Sequence, residues 1–495
     1  MKNQVKFILI VFLILHSNNL MAQSNFSKVW VCGTGSRKVV FDNIISTYSG
    51  SFVNSYFSGG NSNICDSAGN LILQSDGFNI YDSLGNYILG GDTIVPKYHY
   101  VTKNGNSLYS QSSIFLSMEF GKLYFITPAF SDSAYFQCNN NGGSCFFDLL
   151  LYNIIDMNAN NGQGAVTKRM IPLMQNASLS KTQMMACRHA NGKDWWLLKQ
   201  SGDSNIIYKF LFTQDSVYDF GFQKFIEPIW GIWDIKGQST FSNDGTQYAT
   251  AVQGKNNGEI FTAHFDRCSG MLSSPKVIVR PIGSQYDPND TTIKEQIPTG
   301  LAYSPNGKFI YVCGLSNIYQ FDIDSSTWYH VAGMDTSYQK FQDYLTIYQG
   351  NDDKLYIGNF GGTSKQMSRI DNPDVKGVGC NFCPRCLRFD TLGTYAYAGT
   401  PPCMPNYALG KDTINNCWPL SNEQLAISNE QLKVYPNPAN SVLYMQTTSK
   451  QKRELYSYTG QLLFTTAENK IDLSRYPRGL YFVKCGAEVI KVILE

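Results

Sequence analysis

The sequence predicts an all-β chain, a β-propeller of seven blades followed by a small C-terminal β-sandwich. Three observations carry that expectation. Aromatic residues make up 14% of the chain, led by 31 Tyr and 30 Phe, and 42 Gly accompany them, the composition of short strands joined by turns. A tight turn followed by an apolar strand recurs at intervals of roughly 45 to 70 residues, a blade-sized period. The last stretch, of about sixty residues, carries its own strands and turns, enough for a small sandwich.

In order, Lys2 and Lys6 precede an apolar run from Phe7 to Leu15, then Leu20-Met21-Ala22-Gln23. That pattern reads as a signal peptide over 1–22, too short to span a bilayer. No later run is long and apolar enough for a membrane helix, so the mature chain is expected outside the cytoplasm with no transmembrane segment. A net charge of +2 with 16% charged residues gives no basic footprint for nucleic acid.

The propeller is expected over 23–386. Gly69, Gly77 and Gly85 punctuate the first strands. Gly121-Lys122-Leu123, Gly192-Lys193-Asp194, Asp244-Gly245-Thr246, Asn306-Gly307-Lys308 and Asp352-Asp353-Lys354 each put a turn before an apolar strand. A second arm carrying aromatics follows at Ile207–Phe210, Ile260–Asp266 and Ile318–Asp322. Radial repetition leaves few free edges. The count gives seven blades, with six and eight left open. From 387 to 433 the β pattern dissolves into an irregular Cys- and Pro-containing segment and a linker, where Ser421-Asn-Glu-Gln-Leu425 repeats as Ser428-Asn-Glu-Gln-Leu432.

The tail, 434–495, opens with Val434-Tyr435-Pro436-Asn437-Pro438-Ala439. A hairpin follows around Gly460, then Ile471-Asp472-Leu473-Ser474, a turn ending in Gly479, Leu480-Tyr481-Phe482-Val483 and the final Val489-Ile490-Lys491-Val492. This order resembles the type A C-terminal sorting domain of the Bacteroidetes type IX secretion system. It departs from that pattern at Ser457-Tyr458-Thr459, where the family usually has an Asp before the Gly. The resemblance implies that the tail is an address read by the type IX machinery and usually removed after export. The chain would then cross the periplasm to the outer-membrane surface or beyond.

Phrases such as Gln111-Ser-Ser-Ile114, His189-Ala-Asn-Gly-Lys-Asp-Trp-Trp196 and Leu301-Ala-Tyr-Ser-Pro-Asn-Gly-Lys308 are similar to the propeller region of large Bacteroidetes surface proteins. The likeness covers about Asn63 to Cys383. It implies an exported, gliding- or adhesion-associated protein without an assigned catalytic activity.

Thirteen cysteines suit an oxidising compartment, and removal of Cys485 with the tail leaves an even twelve. Cys138 and Cys145 flank a Gly- and Asn-rich loop and are expected to bond. Cys380, Cys383, Cys386, Cys403 and Cys417 are further disulfide candidates, with zinc bound by the first three and Cys403 as the alternative. Cys187 and Cys313 read as buried free thiols. No cofactor and no metal site are expected.

His99, His189, His264 and His330 are scattered; His189 beside Asp194 is the best acid–base candidate among them, but a structural histidine is the favoured reading. Ser242-Asn-Asp-Gly-Thr246 resembles a sialidase Asp-box without its spacer and Trp, and reads as a hairpin turn. Asp322 with Asp324, Asp352-Asp353, and Asp287 through Asp290 read as turns rather than calcium loops. Trp195-Trp196 and Trp230 with Trp233 offer sugar-stacking rings or strand core. Asp followed by Ser or Thr and a small or apolar residue occurs at Ser67, Ser83, Thr93, Ser133, Ser216, Thr291, Thr391 and Thr413, which resembles the Bacteroidetes O-glycosylation acceptor or marks turns.

The expected function is a non-enzymatic binding or adhesion module presenting loops to a glycan or protein ligand. The alternative is a secreted propeller hydrolase or lyase acting on polysaccharide, which needs two or three carboxylates converging at the channel.

Overall fold

The computed structural model describes residues 25–413 and 433–495, apart from 35–36, 43–45, 49–55, 58, 103–106, 108, 142–144, 227–236, 253–258, 280–297, 315–316, 334–343, 360–363, 390–398, 447–451, 458–460 and 486–487. The chain divides into two compact units, Met1–Asn415 and Asn416–Glu495. The signal-peptide reading and the duplicated linker lie outside the described residues.

Among the described residues, the first unit holds six four-stranded sheets and one three-stranded sheet, in chain order. Every paired strand within them is antiparallel. The turns before the strands are built as their sequences suggest. In the fifth sheet Asp244 Oδ1 accepts Ser242 Oγ at 2.6 Å and Thr246 N at 3.0 Å, and Gly245 has φ +73°. In the sixth, Asn306 Oδ1 likewise accepts Ser304 Oγ at 2.8 Å and Lys308 N at 3.0 Å. A short polar side chain closes its own turn, and glycine supplies the left-handed residue.

The first strands of successive sheets lie side by side. Leu179–Arg188 borders Ser239–Phe241, which borders Gly300–Tyr303, which borders Thr346–Gln349. Ser62–Cys65 touches both Val29–Thr34 and Ile114–Ser117. The seventh sheet then meets the first, where Trp30, Phe41 and Tyr356 pack edge to face with centroids 4.8 to 5.6 Å apart. Such a closed ring of radial meanders is a β-propeller.

Burial follows radius. The second strand of the fourth sheet, Trp195–Ser201, is buried throughout, while its outermost strand, Val217–Lys224, is largely exposed. Trp195 Nε1 donates to Ser117 O of the third sheet at 2.9 Å, and Trp196 Nε1 donates to Arg267 O beyond the fifth sheet's third strand at 2.9 Å. Neighbouring residues of one strand thus serve opposite faces. Of the two readings of this Trp pair, sugar-stacking rim and strand core, the second holds, since both side chains are 0% exposed. Trp230 and Trp233 lie outside the described residues.

Two features depart from the sequence reading. Helix Asp132–Asn141 is inserted between strands Lys122–Ala129 and Leu149–Asp156, and from it Cys138 makes the expected bond to Cys145 with Cα atoms 5.8 Å apart. The first unit also runs past 386, because residues 400–413 pack onto the ring. Thr400 and Cys403 pair with Asn61, Tyr407 OH donates to Phe115 O at 2.8 Å, and Asp412 N donates to Ala190 O at 2.9 Å. Little in that segment's sequence shows a strand period, so its packing was not legible as part of the ring.

The second unit is a small sandwich. A three-stranded sheet of Lys433–Tyr435, Val442–Gln446 and Lys470–Asp472 faces a four-stranded sheet of Arg453–Ser457, Leu462–Thr466, Gly479–Cys485 and Glu488–Leu494. Its own core gathers Leu443, Leu455, Ile471, Leu473, Val483 and Val492.

Candidate functional site

The centre of the ring is where a propeller brings distant residues together, and here amides fill it. Gln111, just before the third sheet, donates from Nε2 to Ser239 O at 2.7 Å and accepts Ser239 N on Oε1 at 2.7 Å. Gln238 Oε1 accepts Ile347 N at 2.9 Å, linking the fifth sheet to the seventh. Both bonds skip an intervening sheet. Ser110 Oγ adds a bond to Gly237 O at 3.2 Å. All these side chains are buried. The same device joins the second sheet to the first, where Asn63 accepts Val31 N at 3.0 Å and donates to Val29 O at 2.7 Å. Among the described residues, the side chains making these bonds are neutral amides and hydroxyls.

Buried charges sit elsewhere. Lys199 is wholly buried, with Nζ bonded to Thr182 O and to Ser180 Oγ at 3.3 Å, and burial holds its ammonium well below the usual lysine range. Asp76 is buried in the second sheet, and burial pushes its carboxyl up to about 6. Its oxygens accept Phe78 N at 2.9 Å, Asn79 N at 2.8 Å and Tyr81 OH at 2.7 Å. Neither group, nor the axial glutamines, was singled out by sequence. Gln111 lay inside a quoted phrase, but a polar residue preceding a strand carries no signal of burial.

The histidines do not assemble. His189 accepts Asn191 N on Nδ1 and its Nε2 meets Cys268 O, both at 3.0 Å, so its ring is spent on a turn and burial lowers its pKa. Asp194 binds Asn191 Nδ2 at 2.6 Å instead. His330 Nε2 pairs with Asn317 Oδ1 at 3.1 Å, and Phe130 N donates to buried His99 at 3.4 Å. His264 is exposed on the fifth sheet. The acid pairs are turns. Asp322 pairs with Lys376 at 2.6 Å, a bond that holds its carboxyl down at about 2, while Asp352 accepts Tyr356 OH at 3.0 Å. Asp287 through Asp290 lie outside the described residues.

The structure leaves Cys380, Cys383, Cys386 and Cys403 unbonded, against the expectation that they pair. Cys380 and Cys403 are buried at separate places, against the sixth and seventh sheets' core and against the main core respectively. Among the described residues, no three His, Cys, Asp or Glu gather as metal ligands. Cys187 and Cys313 are buried free thiols. Cys268 is disulfide-bonded, and Cys417 lies outside the described residues. Ser67, Ser83, Thr93, Ser133, Ser216 and Thr413 are all at least partly exposed.

In the tail, Asn437 Oδ1 accepts Ile493 N at 2.9 Å, and Ala439 N donates to Ile493 O at 2.8 Å, which pins the opening motif to the last strand. The Tyr435–Pro436 and Asn437–Pro438 bonds are cis. Tyr435 is exposed and stacks on Tyr444 with centroids 6.0 Å apart. Asp472 caps its own turn through Ser474, whose hydroxyl at 2.6 Å keeps the carboxyl below its ordinary value. Gly479 has φ +149°, and Tyr481 OH donates to Pro477 O. Gly460 and the side chain of Lys491 lie outside the described residues.

The first unit is a β-propeller and the second a separate small β-sandwich. Residues 433–494 match the family described as the secretion system C-terminal sorting domain, and the tail is such a domain. None of the curated proteins compared matches the chain. Among solved structures, the chain is similar to the β-propeller domain of Cps50 (Swd1) from Myceliophteria thermophila, at 10% identity and TM-score 0.33, covering 78% of this chain and 98% of that one. It is also similar to the periplasmic gluconolactonase PpgL of Pseudomonas aeruginosa, at 11% identity and TM-score 0.38, covering 79% and 90%. At these values neither likeness bears on activity.

Gln111→Ala leaves both backbone groups of Ser239 unpaired in the interior and should cost about 2–4 kcal/mol, read as a lower urea midpoint by tryptophan fluorescence. For Asp76, the native pKa near 6 exceeds the unfolded value, so the native state binds the extra proton. Its contribution is complete below the unfolded value and lost as pH rises through about 6. Wild type should therefore gain about 1 kcal/mol between pH 7 and pH 5 relative to Asp76→Asn, which keeps an acceptor for the two backbone amides.

Proposed function

We propose that this protein is a non-enzymatic binding and adhesion module, delivered to the outer-membrane surface or released beyond it by its sorting tail. The observation that carries the reading is the filling of the ring's centre by amide-to-backbone bonds between non-adjacent sheets. A ring whose non-adjacent sheets are tied together holds its shape, and it meets a ligand on its outer strands and loops. Recognition there needs no acid or base. The fold alone does not fix a function, so the ligand is a glycan or a protein surface.

The tail acts during export. Its core is its own, and its opening motif is tied to its last strand, so it can be recognised as a unit. Deleting residues 434–495 should leave a folded propeller in the periplasm, since the N-terminal signal carries it across the inner membrane alone. Cell fractionation of a host with the type IX machinery checks this, and surface delivery of the truncated chain in normal amounts would refute it. The binding role is tested separately, by exposing the purified full chain to a glycan array and to host-matrix proteins. Retention on neither would count against it.

A further inference from the structure

Between the fifth and sixth sheets the buried interface opens outward into a groove of about 890 Å³. At its base lies the core that joins the two sheets, including Tyr303 and Phe321, with Ile278 and Trp328 half-buried at its edge. Trp328 sits 4.9 Å from Phe321, centroid to centroid, on the strand Thr327–Gly333. The facing wall is one side of the fifth sheet. Residues Thr262 and Lys276 are paired there, and His264 stands two residues on from Thr262. Lys276 and His264 are both exposed.

The chemistry of this lining is one-sided. The chain as a whole nearly balances 40 basic against 38 acidic residues, yet the groove is lined by a lysine and a histidine and by no carboxylate among the described residues. Hydroxyls of Thr262, Ser274 and Ser326 and the Gln247 amide stand around the aromatic floor. An aromatic floor with a polar rim suits a ligand having one flat apolar face and several hydroxyls. The Lys276 ammonium, which no described lining carboxylate opposes, selects an anionic version of that ligand. The groove's volume fits a short oligomer rather than a single small ion.

We infer that this inter-sheet groove binds an acidic oligosaccharide, with Trp328 supplying the stacking face and Lys276 the contact to a uronate carboxylate. The inference rests on the binding role proposed above and names a ligand class and a place for it. The site lies on the flank between two sheets, away from the ring's centre.

The test is calorimetric titration of the full chain with trigalacturonate and, separately, with maltotriose as the neutral trimer. Trigalacturonate should bind and quench tryptophan fluorescence, and maltotriose should bind at least about tenfold more weakly. Lys276→Glu, a change at an exposed position, should weaken trigalacturonate about tenfold or more, and Trp328→Ala should do the same in a chain whose circular dichroism is unchanged. Raising salt should weaken the acidic trimer alone. Absence of trigalacturonate binding, equal binding of both trimers, or unchanged affinity in Lys276→Glu would overturn the inference. If the array shows retention that survives both substitutions, the binding role stands and this site fails. If an acidic peptide competes where the sugar does not bind, the ligand class fails.

Discussion

A β-sheet with two apolar faces has no solvent side, and the first unit of this chain is organised by that constraint. Trp195 and Trp196 are adjacent in one strand, so the pleat sends them to opposite faces, and each buries its ring and bonds its indole N–H against a different neighbouring sheet. A sheet of this kind needs a partner on each side. Repeating the demand from sheet to sheet ends only when the last sheet meets the first, as Trp30, Phe41 and Tyr356 do here.

Ring closure creates a second demand at the axis. The innermost strand of each sheet is an edge, and its outward N–H and C=O groups face the centre without a ladder partner. Glutamine and asparagine answer this because their side chains carry a peptide-like donor and acceptor on a short stalk. Gln111 and Asn63 each match a backbone N–H and C=O at once. A carboxylate could accept but not donate, and would be costly to bury unpaired. Asp76 illustrates that cost, since its four donors, the Asn79 side-chain amide among them, offset burial only in part and burial still pushes its carboxyl up to about 6.

With the buried inner strands committed to holding the ring together, the exposed side chains lie at the periphery. Outer strands such as Val217–Lys224 and Met271–Val279 are exposed and carry mixed polar and apolar side chains. The tail is separate again, with a core of its own.

The sequence by itself determined what depends on neighbours along the chain. Turns of the Asn-Gly and Asp-Gly kind, the strands after them, the Cys138–Cys145 loop and the ordered motifs of the sorting tail are local, because a side chain that closes its own turn needs no distant partner. Tertiary structure alone decided what depends on residues far apart in sequence. It buried Trp195 and Trp196, which sequence left open between core and rim. It turned His189 into a turn residue, gave Gln111 a partner 128 positions away, and laid the linker-like residues 400–413 against the ring. It also set Lys276 opposite Trp328, two residues from different sheets with no shared motif. A pattern of period two shows that a side chain alternates between faces, but only the closed ring determines what each face meets.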